Sequence, residues 1–217
     1  MNQPYQSKPE FLVFAITPSQ VLDNAIIRAK TKTFSIAGEQ TYLNHPPHLT
    51  LYVSAFNSPE DAADQIALLA TGWAQPTAKI VGWHSFAGDS LTGKQTLVCE
   101  IDQSCTASLR DMQTELVRRI APLRNKQASE HRYRPHFQSL APNRQQAVLD
   151  FGFPFIASDW IPHLTIASIE PKKWEAVWSA IKSDAPIGTF RFPKLTIYQL
   201  HYDFPGIWRE FPLGSLD

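Results

Sequence analysis

The stretch Pro-His-Leu-Thr-Leu at residues 47–51 recurs almost unchanged as Pro-His-Leu-Thr-Ile at residues 162–166. Each copy opens an apolar run, over residues 49–56 in the first case and 164–169 in the second. Short apolar runs of this kind predict β-strands. The chain therefore contains two strands that begin with the same five-residue motif.

Each motif presents one imidazole and one hydroxyl on the same face of its strand. Side chains alternate between the two faces of a strand, so His48 and Thr50 share one face while the neighbouring leucines occupy the other. His163 and Thr165 are related in the same way. The repeat predicts two matching half-sites, each anchored by aliphatic side chains behind it.

The duplication carries more weight than either copy alone. Roughly one chain in four of this length would carry a single His-x-Thr triplet by chance. Two five-residue copies indicate an internal repeat, whose natural outcome is a pseudo-twofold site with two converging histidines. The alternative is that both motifs are ordinary strand starts with half-buried histidines.

Composition sets the frame for these motifs. The chain has 217 residues, 43% of them hydrophobic, which is enough to bury a sizeable core in one large domain or two intimate lobes. Its charged residues balance to a formal net charge of zero, so any attraction to nucleic acid or to an anionic membrane must be local. The two cysteines, Cys99 and Cys105, are too few for a secreted disulfide framework and match no metal or redox spacing.

The start of the chain is polar, and the first apolar run, residues 11–16, is too short for a signal sequence or a membrane span. We therefore expect a cytoplasmic, soluble protein that is not associated with membranes. The chain also contains no low-complexity segment and no compositional break that would mark a linker. A single domain over residues 1–217 is the expected organisation.

Periodicity and turn residues predict an alternation of strands and helices. The longest helical pattern is expected over residues 104–123, while residues 34–43 give no clear pattern. The same strand-helix-strand order on both sides of residues 118–144 favours two similar lobes in one α+β unit. The predicted strands are 11–16, 49–56, 77–86, 96–101, 164–169, 188–202 with a break at Pro193, and an edge strand at 207–213; the other predicted helices are 20–30, 62–70, 142–149 and 172–182.

Residues 118–144 form the one strongly basic segment of the chain. Seven Lys and Arg residues face a single acid, Glu130, and His131, Tyr133, His136 and Phe137 lie among them. This mixture is expected of a surface that binds phosphates and stacks bases. The alternative is a solvated helix end followed by an irregular loop.

The paired His-x-Thr motifs, with Phe-Gly-Phe-Pro at residues 151–154 and with Trp208 and Phe-Pro-Leu at residues 211–213, resemble the 2H phosphoesterase superfamily. That superfamily includes the 2′-5′ RNA ligase-like and RNA 2′,3′-cyclic phosphodiesterase proteins. A looser likeness, carried by residues 141–145 and 149–155, is similar to a 2H branch linked to phosphonate metabolism.

The resemblance implies a bilobal, pseudo-twofold fold with two antiparallel sheets flanking a central cleft and helices outside. It implies that His48 and His163 are the catalytic pair, that Thr50 and Thr165 bind phosphate, and that neither a metal nor a cofactor is required.

The expected activity is hydrolysis of 2′,3′-cyclic phosphate ends of RNA or of small cyclic nucleotides by a monomer, with a 2′-5′ RNA ligase side activity open. Two alternatives remain: an esterase for another small cyclic phosphate, and a non-catalytic RNA-binding module that uses the basic segment.

Five further side chains are candidates for substrate contacts. An aromatic ring can stack on a base or ribose, although a large aromatic residue is more often part of the core. Loop arginines can meet a phosphate backbone, although most meet only water. A metal site at His45 and His48 is disfavoured, because the extended Pro-Pro backbone turns the two side chains to opposite faces. The five candidates are Arg132, Tyr133, Arg134, Trp160 and Trp208.

Overall fold

Strands and helices alternate along the computed structural model, which describes residues 8–202 and 204–214. Residues 1–7 of the polar start lie outside the described part. The elements are β1 (Glu10–Thr17), α1 (Gln20–Ala37), β2 (Leu49–Phe56), α2 (Pro59–Gly72), β3 (Thr77–Phe86), β4 (Gln95–Ile101), α3 (Ala107–Ile120), α4 (Lys126–Tyr133), α5 (Pro142–Phe151), β5 (His163–Ile169), α6 (Pro171–Ile181), β6 (Gly188–Arg191), β7 (Lys194–His201) and β8 (Phe204–Pro212).

Two four-stranded antiparallel sheets form the centre of the fold. Their strand orders are β2-β1-β7-β8 and β5-β4-β3-β6. Each motif strand, β2 or β5, is therefore an edge strand of its own sheet. The predicted α+β fold, with two antiparallel sheets and helices around them, is confirmed.

The two lobes do not each come from one half of the chain. The predicted break at Pro193 is confirmed, and it is the point at which the chain passes from the second sheet to the first. β6 pairs with β3, whereas β7 pairs with β1. The predicted edge strand at the end is also confirmed, because β8 pairs only with β7 at the border of the first sheet.

Two helices, α1 and α3, differ most in length from the prediction. α1 continues through the unassigned stretch to Ala37 and ends at Gly38, whose φ of 64° suits glycine. It is longer than α3, which was predicted to be the longest. α3 stops earlier because Pro122 lacks a backbone N–H, so the chain continues as a 3₁₀ turn.

The segment after α3 is ordered as helices and is not an irregular loop. Asn125 caps α4, its side-chain oxygen accepting a hydrogen bond of 2.8 Å from the amide of Ala128. A 3₁₀ turn over residues 134–139 then leads into α5.

The main hydrophobic core is continuous across both sheets. It includes Leu12, Phe14 and Ile16 of β1 together with Leu164 and Ile166 of β5, all fully buried. Thr50 pairs directly with Ala15 of β1, so Ala15 lies on the face that carries the first motif. A second, small hydrophobic cluster, formed by Val13, Ala15 and Tyr198, lies on that face.

Candidate active site

The two motif strands lie beside each other without pairing. β2 and β5 are in contact, although they belong to different sheets. The segment before the first motif crosses the gap, because the amide of Ser168 donates a 2.8 Å hydrogen bond to the carbonyl of Thr41. The fold therefore brings the two copies of the motif together, as the sequence repeat predicts.

Burial alternates identically in the two copies. The proline and the two aliphatic residues of each motif are buried, whereas the histidine and the threonine are half-buried. This alternation follows from the two-residue period of a strand. Each motif thus anchors its aliphatic side chains in the core and leaves its imidazole and hydroxyl partly accessible.

Both imidazoles are oriented by the same hydrogen bond. Nδ1 of His48 lies 2.7 Å from the carbonyl oxygen of Pro46, and Nδ1 of His163 lies 2.7 Å from that of Ile161. A carbonyl can only accept, so Nδ1 carries the proton in both neutral rings. The two Nε2 atoms are left as the nitrogen atoms that can exchange a proton with a ligand.

Within residues 8–202 and 204–214, no protein side chain or backbone group hydrogen-bonds to either Nε2 or to the hydroxyls of Thr50 and Thr165. Two proton-exchanging nitrogens and two hydroxyl groups therefore remain for a ligand. The described residues contain no group of three His, Cys, Asp or Glu side chains that could hold a metal ion.

An aromatic ring supports each histidine from a strand two places away in its sheet. The rings of His48 and Tyr198 of β7 are 5.2 Å apart between centroids, and those of His163 and Phe86 of β3 are also 5.2 Å apart. Because β7 and β3 occupy equivalent places in the two strand orders, these contacts follow the same pseudo-twofold relation.

Removal from water lowers the pKa of His48 to about 4, against the opposing hydrogen bond to Pro46. The positive charges of His45, Lys30 and His163 lower it further. In the free site His48 is therefore a neutral imidazole.

Burial also lowers the pKa of His163, and the hydrogen bond to Ile161 opposes this effect. The Asp89 carboxylate raises the pKa of His163, whereas His84 lowers it. An anionic ligand between the rings would favour their protonated forms.

Three of the five side chains predicted to contact substrate pack against other parts of the protein instead. Trp160 and Tyr133 are each only 3% exposed, which leaves neither ring a face for a base. Trp208 packs against the main core, and the guanidinium of Arg209 lies 4.7 Å from its ring centroid. Trp160 nevertheless supports the site, because its indole N–H donates a 3.0 Å hydrogen bond to the carbonyl of Thr50.

The arginine candidates lie at the end of α4. The guanidinium of Arg132 lies 5.3 Å from the ring centroid of Phe11, and Arg134 is exposed at the start of the following 3₁₀ turn. Two other arginines of the basic segment are structural: Arg124 donates to the carbonyls of Ala121 and Leu149, and Arg144 pairs with Asp159.

Five residues that contact the motif strands or influence the motif histidines were not identified from the sequence. They are Lys30, Gln113, Tyr198, Phe86 and Asp89. For Lys30 and Gln113 a signal was present, since each is a polar residue on the apolar face of its helix, four positions after Ile26 or Leu109. The others are distant in sequence from the motifs, and only strand order brings them near.

The sequence matches a known protein family over most of its length. Residues 18–203 match the model of the 2′-5′ RNA ligase superfamily. No curated protein sequence matches the chain.

Several solved structures share the fold. TT0787 of Thermus thermophilus superposes with a TM-score of 0.59 at 15% identity, over 95% of this chain and 100% of the other. Escherichia coli LigT complexed with NADP⁺ gives a TM-score of 0.50 at 14% identity, over 96% and 100% of the two chains. A structure described as a phosphoesterase gives a TM-score of 0.50 at 17% identity, with the same coverage.

None of the helices within the described residues combines the length and the apolar character that a membrane span requires.

Proposed function

Because this chain belongs to the 2′-5′ RNA ligase superfamily of 2H phosphoesterases, we propose that it hydrolyses 2′,3′-cyclic phosphates. The substrates would be RNA with a cyclic phosphate end or small cyclic nucleotides, and no metal ion would be needed. His48 and His163 exchange the protons in this proposal, and Thr50 and Thr165 hold the phosphoryl oxygens.

The duplicated histidine geometry is the observation that supports this proposal most directly. Each Nδ1 is fixed at 2.7 Å from a backbone carbonyl, and each Nε2 is left for a ligand. Acid-base catalysis at a phosphodiester requires one base and one acid on opposite sides of phosphorus. Two imidazoles oriented by the same hydrogen bond, on edge strands that contact each other, support the assignment of these two roles to His48 and His163.

The chemical step balances with these groups alone. A water oxygen attacks phosphorus while one neutral Nε2 takes a proton from that water. The bond from phosphorus to one ribose oxygen breaks, and the protonated Nε2 of the other histidine gives its proton to that oxygen. The product is a phosphate monoester, and the two histidines have exchanged protonation states.

The hydroxyls of Thr50 and Thr165 complete the site. Each lies two residues after its histidine on the same face of the same strand. Hydrogen bonds from hydroxyls to a charged phosphoryl oxygen are stronger than bonds between neutral groups.

The E. coli LigT structure of the same fold holds NADP⁺, a dinucleotide, in keeping with the substrate class proposed.

The test is an assay panel without added metal. It contains 2′,3′-cyclic mononucleotides, RNA with a 2′,3′-cyclic phosphate end, and other small cyclic phosphates. We expect hydrolysis of the first two, and His48→Ala and His163→Ala each to lower turnover by roughly 10² to 10⁴-fold. Parent-level hydrolysis by His163→Ala would remove that residue from the proposed mechanism.

Two outcomes would favour other functions. Hydrolysis of other cyclic phosphates alone would indicate an esterase with a different small substrate. Salt-sensitive RNA binding without hydrolysis, unchanged in both alanine variants, would indicate a binding module that uses the exposed basic residues Arg118, Arg119, Lys126 and Arg134.

A further inference from the structure

The strand that carries the first motif is irregular within the motif itself. In the pairing of β1 with β2, Phe14 faces Tyr52, but the next residue, Ala15, faces Thr50. Leu51 is thereby left out of the ladder as a β-bulge. A bulge redirects the side chains beside it, so the direction of the Thr50 hydroxyl depends on what holds this part of β2.

Two buried side chains bind the carbonyl groups of this bulge. Nε2 of Gln113 donates to the carbonyl of Leu51 at 3.1 Å, and Nε1 of Trp160 donates to that of Thr50 at 3.0 Å. Gln113 is fully buried, and Trp160 is 3% exposed. Buried carbonyl groups without a partner are costly, so both contacts stabilise the bulged strand.

Trp160 itself belongs to the approach to the second motif, three residues before His163. The carbonyl of the next residue, Ile161, is the one that lies 2.7 Å from Nδ1 of His163. Trp160 therefore holds the strand of Thr50 through its side chain and leads into His163 through its backbone.

The turn around Trp160 is fixed from two helices. Nη1 of Arg110, on α3, donates to the carbonyls of Ala157 and Trp160, at 3.0 Å in each case. From α5, Arg144 pairs with Asp159. Ala157 has a φ of 54°, a left-handed conformation that is unfavourable for alanine, so the turn depends on these outside contacts.

The second motif strand is held differently. The carbonyl of Thr41, in the segment before the first motif, accepts from the amide of Ser168 near the end of β5. The equivalent bulge of β5 leaves out Ile166, whose carbonyl accepts a 2.8 Å hydrogen bond from Nζ of Lys30 on α1. The contact made by Trp160 differs from both, because it joins the approach of one motif to the backbone of the other motif's threonine.

We propose that Trp160, held by Arg110, is a positioning residue that sets Thr50 of one half-site relative to His163 of the other. This inference rests on the proposed hydrolysis, in which both side chains act on the same phosphate. That phosphate must contact the two half-sites at once, so a shift of about 1 Å between them is expected to lower activity strongly.

Trp160→Phe tests this role, because phenylalanine keeps an aromatic ring in the core but removes the N–H. We expect kcat/KM for a 2′,3′-cyclic mononucleotide to fall roughly 10- to 100-fold. Trp83→Phe is the matched control. Nε1 of Trp83 also donates to a backbone carbonyl, that of Ile181 at 2.8 Å, and its side chain is also buried. This control loses the same kind of hydrogen bond and should leave kcat/KM unchanged.

A double-mutant cycle with Thr50→Val separates positioning from a general loss of stability. If Trp160 acts through Thr50, Trp160→Phe should lower kcat/KM much less in the Thr50→Val background than in the parent. Equal effects in the two backgrounds would overturn the positioning role.

Arg110→Met removes both hydrogen bonds to the turn around Trp160. It should also lower kcat/KM, and its effect should not add to that of Trp160→Phe, because both substitutions release the same contact. Fully additive effects would overturn the role of Arg110.

Inorganic phosphate is a probe that does not depend on turnover. An NMR titration with phosphate should shift resonances of both motifs in the parent protein. Trp160→Phe should weaken the affinity roughly tenfold, the effect of one misplaced charge-assisted hydrogen bond. Equal phosphate affinity in the parent and in folded Trp160→Phe would contradict the inference.

Hydrogen exchange of the Trp160 indole proton requires no variant. The bond to Thr50 is buried, so this proton should exchange slowly in the parent, and rapid exchange would overturn the inference even if no variant folded. Absence of cyclic phosphate hydrolysis by the parent would refute the proposed function instead, and the phosphate titration would still decide the role of Trp160.

Discussion

His48 and His163 show what a strand pattern predicts about single residues and what it does not. The two-residue period predicted that each histidine shares a face with its threonine, and the burial of both motifs agrees with it. The strand pattern could not predict the tautomer of either histidine. That tautomer depends on the carbonyl two residues earlier, which points back toward Nδ1. A sequence gives the residues on a face, whereas the orientation of a ring depends on backbone dihedrals.

Thr50→Val tests the hydroxyl without changing the size of the side chain. Valine keeps the β-branched shape, so β2 should remain intact. Loss of a hydrogen bond to a charged phosphoryl oxygen should reduce kcat/KM by a factor that corresponds to about 1.5 to 3 kcal/mol. Steady-state kinetics on a cyclic mononucleotide provide the measurement. Thr31→Val, which removes an exposed hydroxyl bonded within α1 to Ile27, is the control and should leave kcat/KM unchanged.

Gly152, which caps the C-terminal end of α5, is expected to tolerate no side chain. Its φ is +73°, and an added Cβ would lie 2.7 Å from Cβ of Ser129 and 2.9 Å from Oγ of Ser54. Backbone strain and overpacking together should make Gly152→Ala lower the free energy of unfolding by about 2 to 4 kcal/mol. Gly88→Ala has a similar φ of +58° with open space around it, and should cost about 1 kcal/mol. Urea unfolding of both variants measures the difference, and equal losses would contradict the steric argument.

At the scale of elements, helical periodicity predicted α1 and α3. It did not explain why Lys30 and Gln113 lie on the apolar faces of these helices. Both interrupt an apolar stripe, and a pattern argument treats such positions as exceptions. Their partners lie 136 and 62 residues away along the chain, in strands whose bulges form only when the sheets assemble. The polar interruption of a stripe is thus visible in the sequence, and its purpose depends on tertiary structure.

Asn125→Ala tests whether α4 is a capped helix, as the structure has it, or the irregular loop that composition left open. The side chain of Asn125 accepts from the amide of Ala128 and donates to Asn57 at 2.8 Å. Loss of this N-cap should lower the free energy of unfolding by about 0.5 to 2 kcal/mol. At the start of α1, Ser19 makes no side-chain capping bond within the described structure, so Ser19→Ala is the control and should change stability by less than about 0.5 kcal/mol. Chemical denaturation of the two variants decides the matter.

At the scale of the whole molecule, the sequence predicted the strands but not their distribution between the sheets. Local patterns identify a strand by its own side chains, whereas its neighbour depends on contacts across the chain. The hydroxyls of Thr17 and Thr196, which are 179 residues apart, lie 2.6 Å from each other because β7 pairs with β1. The break at Pro193 was a visible signal of this crossing, although the sheet that the chain enters afterwards could not be inferred from it.

Two basic side chains, the half-buried His48 and the buried Lys30, should each make the free energy of unfolding depend on pH, in different pH ranges. Burial lowers the pKa of His48 from 6.5 to about 4 and that of Lys30 from 10.5 to about 7. Between each pair of values the unfolded chain binds a proton that the folded chain does not, so the free energy of unfolding rises with pH in both windows. It therefore falls on acidification from pH 6.5 to 4, through His48, and from pH 10 to 7, through Lys30.

Variants separate these two contributions from those of all other groups. Each window should contribute a slope of up to about 1.4 kcal/mol per pH unit to the parent protein. Lys30→Met should flatten the dependence between pH 7 and 9 only, and His48→Gln should flatten it between pH 4.5 and 6 only. Urea unfolding of the three proteins at closely spaced pH values gives the slopes, and surface carboxylates and other histidines cancel in the differences. Equal slopes for the parent and Lys30→Met above pH 7 would mean that Lys30 keeps its proton in the folded chain, despite its burial against β5.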